Sequence, residues 1–362
     1  MSNDKGYGIA VKAVVDLKAF QDNIALIKTQ APNSKIMAIL KANAYGHGLC
    51  RIARCTNSVH AIGVARIEEA LQLRESGILK PIILLEGFYS LSDLFILSAN
   101  NIQTVLHCEE QLLLLEQTKL KVPIVVWLKI DTGMNRLGIN PNQCFDFLVR
   151  LKSCRNIDKS LRVMSHFSCA DDFNFSMKQF KLFLSLTKDC NGERSIAASG
   201  ALLYLNKTYL EWVRPGIIMY GLSPFFNQRV NTLGYRPVMT LKSVLIAIRD
   251  IKYGESIGYG RTWISKCNTK VGVISIGYGD GYPRMAPNGT PVFLNGRKVP
   301  IVGRVSMDMI TIDLGFNSID KVGDEVILWG RELPAEEIAR YIGTLAYELV
   351  TRITSRVEIQ YM

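Results

Sequence analysis

The segment Met37-Ala-Ile-Leu-Lys41-Ala-Asn-Ala-Tyr45-Gly-His47-Gly48 ends an apolar run with a lysine and follows it with a glycine-rich turn carrying a tyrosine and a histidine. An ammonium at the buried end of a strand loses its hydration, and the usual response is a lowered pKa. A lysine that is neutral near physiological pH attacks carbonyl carbon, so Lys41 is a candidate for imine (Schiff-base) chemistry. A strand-end lysine taken alone is an ordinary surface cation whose stem packs while its head stays wet. The Ala-Asn-Ala-Tyr-Gly-His-Gly context separates Lys41 from that background.

A lysine so placed needs a strand behind it and a loop in front. Apolar runs recur at Lys35–Leu40, Ala61–Ala65, Pro81–Leu85, Asn101–Leu106, Val122–Ile130, Arg162–Phe167, Ile196–Ser199 and Trp212–Val213, a spacing of roughly one βα unit each. Helical stretches lie between several of them. In Arg66–Ser76 the residues Glu68, Glu69, Arg74 and Glu75 are expected to face outward, with Gly77 as the stop. In Ser176–Cys190 the residues Phe180, Phe183, Leu184 and Leu186 supply an apolar face. Eight such repeats favour a closed (β/α)8 barrel over an open sheet, and catalytic groups of that fold collect at the C-terminal ends of its strands. No G-x-G-x-x-G follows the first run, which weakens a dinucleotide-binding reading.

The texture changes after about Asn231. Val238–Ile251, Lys270–Ile276, Thr290–Leu294, Lys298–Val305, Ile310–Leu314 and Glu325–Leu328 are β-rich runs punctuated by Gly, Asn and Pro. Asn295-Gly296 is a strong hairpin signal, and Pro334–Ile342 reads as a helix with proline in its first turn. The expected architecture is therefore α/β: an N-terminal (β/α)8 TIM-type barrel over 1–232, then a mostly β domain over 233–362.

Composition narrows the function classes. The chain has 362 residues, 48% hydrophobic and 21% charged, as in a folded globular protein. Met1–Ala10 lacks the apolar stretch of a secretory signal, and Pro81–Ala99 is interrupted by Glu86, Gly87 and Asp93, short of a membrane span. The eight cysteines are scattered with no C-x-x-C pair, which fits a reducing cytoplasm; with only four histidines, no metal site is expected. The net charge of +11 comes without a basic block or a nucleic-acid motif, so a solvated basic surface is expected and no nucleic-acid or membrane partner.

The Lys41–Gly48 string resembles, nearly residue for residue, the cofactor signature of the bacterial alanine racemases, fold-type III enzymes that use pyridoxal 5'-phosphate (PLP). The resemblance continues in order at Lys129-Ile-Asp-Thr-Gly-Met-Asn-Arg136-Leu-Gly, Ser165-His166-Phe, Trp212-Val-Arg214-Pro-Gly216-Ile217, Ser256-Ile-Gly-Tyr259-Gly, Gly277-Tyr-Gly-Asp-Gly-Tyr and Gly303-Arg-Val-Ser-Met307-Asp308-Met. It implies alanine as substrate and Lys41 as the amine that holds PLP and exchanges a proton on one face of the substrate carbon. Inverting a stereocentre needs a second group on the other face, and the resemblance assigns it to Tyr259. A phenol with an ordinary pKa near ~10 needs help to act as a base, and the resemblance sets His166 beside that tyrosine and the cofactor. It also implies Arg214 against the ring nitrogen, Tyr45, Ser199, Gly216 and Ile217 around the phosphate, and Arg136 with the Met307 N–H on the substrate carboxylate. Lys129 matches a lysine that some members carry as a carbamate beside that arginine.

Two positions depart from the pattern. Ser355 stands where some members have a tyrosine before Arg356-Val357, and Ala198 replaces an asparagine found in part of the family. Neither touches the proton-transfer pair. The resemblance further implies a homodimer whose β domains lend Tyr259 and Met307 to each other's active sites, and a cytoplasmic source of D-alanine for peptidoglycan, with catabolic use of D-alanine equally compatible. A broader small-amino-acid racemase, a PLP decarboxylase and a non-catalytic PLP-binding barrel share parts of the motif set and remain open from sequence.

Overall fold

The computed structural model describes residues 11–158, 161–226 and 229–362. Met1–Ala10, the stretch read above for a secretory signal, lies outside the described residues. The chain divides into two compact units. One is Ile24–Met219; the other joins the described residues up to Asn23 with Tyr220–Met362.

Strand β1 (Lys12–Val15) precedes the barrel. The barrel strands are β2 (Lys35–Ile39), β3 (Ala61–Val64), β4 (Ile82–Leu84), β5 (Ile102–Leu106), β6 (Val126–Lys129), β7 (Arg162–Met164), β8 (Arg194–Ala198) and β9 (Trp212–Arg214). All neighbours are parallel, and β9 pairs back onto β2 through Lys35–Trp212 and Ile36–Val213, closing the cylinder. Parallel strands covered on both faces need unbroken apolar runs, which is why Ala61–Val64 and Ile82–Leu84 are buried throughout. Six of the eight apolar runs expected from the sequence contain one of these strands; Ile196–Ser199 overlaps β8, which begins earlier at Arg194, and Trp212–Val213 overlaps β9, which ends later at Arg214.

The floor of the barrel is closed by a cation held between two indoles. The Arg162 guanidinium lies 5.2 Å from the Trp127 ring and 5.5 Å from the Trp212 ring, and its Nε is 3.0 Å from Glu193. Polar side chains at the opposite, C-terminal ends of the strands are therefore free to serve a site.

The second unit is built on β10 (Met239–Ile251), with β11 (Ser256–Ile257), β12 (Trp263–Ile264), β13 (Thr269–Ile274), β14 (Pro291–Leu294), β15 (Arg297–Pro300), β16 (Ile310–Asp313), β17 (Glu325–Trp329) and β18 (Glu358–Tyr361). Strand β10 pairs with β17 over Leu241–Val244 and with β13 from Leu245 on, with a register shift between Leu245 and Ala247 in the latter pairing. Strand β1 lies between β10 and β18. The expected division at 232 and 233 thus differs from the observed one: the first strand belongs to the β-rich unit, because its hydrogen-bond partners lie at Met239–Lys242 and Glu358–Tyr361. The run expected over Lys298–Val305 stops as a strand at Pro300, beyond which Ile301 makes a single bridge to Ile312. Among the described residues, no helix is long and apolar enough to cross a membrane.

The Asn295-Gly296 hairpin has both residues at positive φ, 45° and 80°, as a two-residue turn of this type requires. It is pinned by Asp320, which accepts from Asn295 Nδ2 (3.0 Å), Ser318 Oγ (2.6 Å) and both Arg297 Nη groups. The Arg297 contact, opposed by burial and aided by Ser318 and Asn295, holds the Asp320 carboxyl well below the usual range. A depressed carboxylate adds stability above its ordinary pKa, and that stability is lost as pH falls toward the folded-state value. Asp320→Ala is expected to lower stability by about 1–3 kcal/mol at neutral pH. In denaturant unfolding, its gap to wild type should narrow progressively in acid.

Candidate active site

The mouth of the barrel collects the charged residues singled out from sequence. Lys41 follows β2, Lys129 ends β6, His166 follows β7, Ser199 follows β8, and Arg214 ends β9. Arg214 is buried and donates to Ser195 Oγ (2.6 Å), Ser165 O and His166 Nδ1 (3.2 Å). A guanidinium has no acceptor to offer. His166 Nδ1 must therefore receive that hydrogen bond, which fixes the ring as the neutral Nε2–H tautomer. The pKa of His166 accordingly lies well below its ordinary value, through burial first and then the charges of Arg214, Lys129, Arg136 and Lys41.

The lysines respond in the same sense. Burial, then Arg214, Arg136 and Lys41, bring Lys129 down to about 8, with Asp131 opposing. Burial and then Arg136 lower Lys41, while Glu86 and Glu69 pull it back. Arg214 itself falls only to about 10, through burial, so it remains charged at neutral pH. Four basic side chains that act on one another in this way form a site suited to anions.

The turn after Lys41 is unusual. Ala42, Asn43, Ala44 and Tyr45 all have φ between 53° and 54°, a left-handed helical turn without glycine, and only then come Gly46 and Gly48. Such residues cost roughly 1–2 kcal/mol each, so the surroundings must impose the conformation. Asn43 Oδ1 accepts from Leu49 N at 2.8 Å, and Ala44 N donates to Leu40 O at 2.8 Å. The reversed hand sets the Tyr45 hydroxyl against Gly216: a Cβ built at Gly216 would lie 2.6 Å from it. Ser199 Oγ accepts from Gly216 N at 2.9 Å. Two hydroxyls and a backbone N–H thus converge beside the buried Ile217.

A second layer ties these loops together. Ser165 Oγ donates to Ile130 O, so Thr132 Oγ1, 2.8 Å away, is the donor to Ser165. Gln179 Nε2 donates to His166 O at 3.2 Å. Ser195, Thr132 and Gln179 were not singled out from sequence; Ser195 and Thr132 bear no signal beyond being polar near strand ends, and Gln179 none beyond being polar within the helix Phe173–Leu186. Glu69 is a correction. It does not face outward: its carboxylate accepts from Ala42 N and Asn43 N on one side, and from Ala65 N and Arg66 N on the other. Arg74 likewise turns inward onto the carbonyls of Ile78, Lys80, Asn100 and Asn101.

Tyr259 and Met307 belong to the β-rich unit. Tyr259 sits between Gly258 and Gly260, both at φ 72°, in the turn joining β11 and β12, and is 72% exposed. Met307 is 52% exposed, on a turn whose carbonyl accepts from Gly279 N at 2.8 Å. Among the described residues, no group of three or more metal-ligating side chains occurs.

A family model described as alanine racemase, N-terminal domain, matches residues 15–224, and one described as alanine racemase, C-terminal domain, matches residues 238–361. The chain belongs to the alanine racemase family. The alanine racemase of Vibrio vulnificus (strain YJ016) is 64% identical over 363 residues, covering 100% of this chain and 98% of the relative. That of Vibrio cholerae serotype O1 is 63% identical over 354 residues, covering 97% and 98%. Among solved structures, biosynthetic alanine racemase from Pseudomonas aeruginosa is similar with a TM-score of 0.94 at 39% identity, covering 98% of this chain and 99% of that one. Alanine racemase from Bacillus anthracis, with bound L-Ala-P, is similar with a TM-score of 0.86 at 30% identity, covering 98% and 96%.

For an alanine racemase the closeness of Tyr45 and Gly216 has a measurable consequence. Gly216→Ala is expected to displace the Tyr45 hydroxyl and lower kcat/KM for alanine by about 100-fold, the usual scale for a ~1 Å misplacement. Tyr45→Phe removes the atom that the new methyl would strike. The double variant should therefore be much less impaired than the product of the two single effects, in a double-mutant cycle read from kcat/KM.

Proposed function

We propose that the chain interconverts L- and D-alanine with PLP held at the barrel mouth, Lys41 and Tyr259 exchanging the substrate proton on opposite faces. The observation that carries this reading is a lysine of depressed pKa next to a cradle of two hydroxyls and a backbone N–H, ringed by cations. The donor set fits the group: glycine at 216 leaves the space that a Cβ would fill, and a phosphate dianion matches the surplus of positive charge. Lys41 would hold PLP covalently, and Tyr45, Ser199, Gly216 and Ile217 would take its phosphate. Arg214 would face the ring nitrogen, with His166 beside it. When bound, PLP supplies an electron sink that acidifies the Cα–H bond of the amino acid.

The remaining chemistry belongs to side chains. Lys41 Nζ takes or returns the proton on one face of Cα, and the Tyr259 oxygen does so on the other. Arg214 keeps its proton and offers only donors, so a ring nitrogen facing it would act as acceptor and stay unprotonated, which would moderate the electron sink. Arg136 and the Met307 N–H orient the substrate carboxylate. Lys129, at about 8, offers a neutral amine that can add carbon dioxide with release of a proton; the resulting anion would orient Arg136 instead of repelling it. The barrel unit, Ile24–Met219, acts as the PLP-binding domain. The 233–362 region, bearing Tyr259 and Met307, completes the partner's site in a homodimer, an arrangement of paired composite sites. The physiological role is D-alanine supply for peptidoglycan in the cytoplasm. The Ser355 and Ala198 departures alter phosphate contacts and substrate breadth, not the reaction.

The deciding experiment follows solvent deuterium into each alanine enantiomer. Lys41→Ala should lose the visible absorbance of lysine-bound cofactor. Tyr259→Phe should keep that absorbance and lose exchange mainly from L-alanine. Equal loss from both enantiomers in Tyr259→Phe would overturn the two-face assignment. A carbamate on Lys129 is expected to appear as one added carbon dioxide in mass spectra taken at neutral pH, and to vanish on acidification.

A further inference from the structure

One carboxylate in the barrel unit satisfies four backbone donors in two different loops. Glu69 is the third residue of the helix Ile67–Glu75. Its Oε2 accepts from Ala65 N (2.9 Å) and Arg66 N (3.2 Å), the ordinary duty of a carboxylate at that helical position. Its Oε1 crosses to the neighbouring loop and accepts from Ala42 N (2.6 Å) and Asn43 N (3.4 Å), the first two residues of the left-handed turn. Those N–H groups lie at the start of a turn of the wrong hand and have no partner within it. The carboxylate also stands close enough to Lys41 for its charge to act on the ammonium.

We propose that Glu69 is a positioning residue for the racemase site: by clamping the backbone of Ala42 and Asn43 it holds the left-handed turn and so sets both Lys41 and the Tyr45 hydroxyl. The proposal rests on the reading of the barrel mouth as the PLP site. A purely structural role is separable from it, because the fold contains a matched control. Asp93 is the third residue of the helix Leu91–Ala99, and its Oδ2 accepts from Tyr89 N (2.8 Å) and Ser90 N (3.1 Å). It performs the capping half of what Glu69 does and makes no contact with the Lys41 turn.

The test compares PLP-loaded full-length wild type, Glu69→Ala, Glu69→Gln and Asp93→Ala. Two quantities are read: the thermal midpoint, and the rate at which lysine-bound absorbance disappears into a PLP-scavenging apoprotein. Borohydride reduction with peptide mapping identifies the attached lysine. Glu69→Ala is expected to release PLP about tenfold faster than wild type, the scale of one lost charge-assisted contact. Asp93→Ala should lose comparable thermal stability and release PLP at the wild-type rate. Glu69→Gln keeps the shape and one acceptor; it should show the same acceleration to a smaller extent and stands in should the alanine variant not fold. Release from both Glu69 variants within about twofold of wild type would overturn the proposal. So would an equal acceleration in Asp93→Ala. A wild type that carries no PLP on Lys41 would instead overturn the cofactor reading, and the proposal with it.

Discussion

The chemistry at the barrel mouth depends on a buried charge that cannot be discharged. Arg214 ends the last barrel strand with its guanidinium fully inside, and a guanidinium keeps its proton where a lysine or histidine would surrender one. Its neighbours respond to burial first and to this charge next. His166 accepts from it and is held neutral, and Lys129 drops toward neutrality. The contacts to Ser195 Oγ and to the carbonyls of Ser165 and Ile196 meet the hydrogen-bonding needs of the cation without neutralising it. A carboxylate partner would have made the site electrically quiet. Its replacement by neutral acceptors leaves the positive field directed at whatever occupies the mouth, which suits an anionic cofactor and an anionic substrate.

A second constraint is steric and concerns hand. A right-handed turn after Lys41 would carry Tyr45 along a different path from the strand end. The left-handed turn takes it under the loop to Gly216, where only the absence of a side chain admits the phenol oxygen. Three kinds of contact hold this unfavourable conformation: Glu69 at the first N–H groups, the Asn43 side chain on Leu49 N, and the glycines at 46 and 48 that end the turn. The strain is local to Lys41, and one residue outside the turn, Glu69, shares in holding it.

The barrel was legible because parallel strands covered on both faces announce themselves as short apolar runs. Each expected run holds or overlaps a barrel strand, and the lysine, histidine, serine and arginine at their ends fall at the mouth, as the fold requires. The failures share a cause. Lys12–Val15 is four residues whose partners lie more than two hundred positions away, so no local pattern assigns it to the β-rich unit. Glu69 has the type and helical position of a solvated residue, and only the neighbouring loop, about twenty-five positions earlier, turns it inward. Periodicity reports which face of an element is apolar; it does not report what a polar side chain finds when its helix packs beside a strained turn.

Tyr259 poses the complementary case. Its flanking glycines, both left-handed, exist to thrust one aromatic ring out of a two-stranded turn, and most of that ring is exposed. Cations favour the phenolate over the phenol, and their effect is strongest where water is excluded. A ring so exposed meets both conditions only when another surface covers it. The barrel mouth is rich in the required cations, yet the same mouth keeps His166 neutral through Arg214, so the imidazole can donate from Nε2 without adding a charge of its own. Under the proposed composite site, the covering surface would be the partner's mouth. The charge presented to the ring would then be that of Arg214, relayed through a neutral histidine. The two lysines at the mouth owe their lowered pKa values to burial first, Lys129 then to Arg214 and Lys41 to Arg136, so more than one arginine sets the charge state of the site.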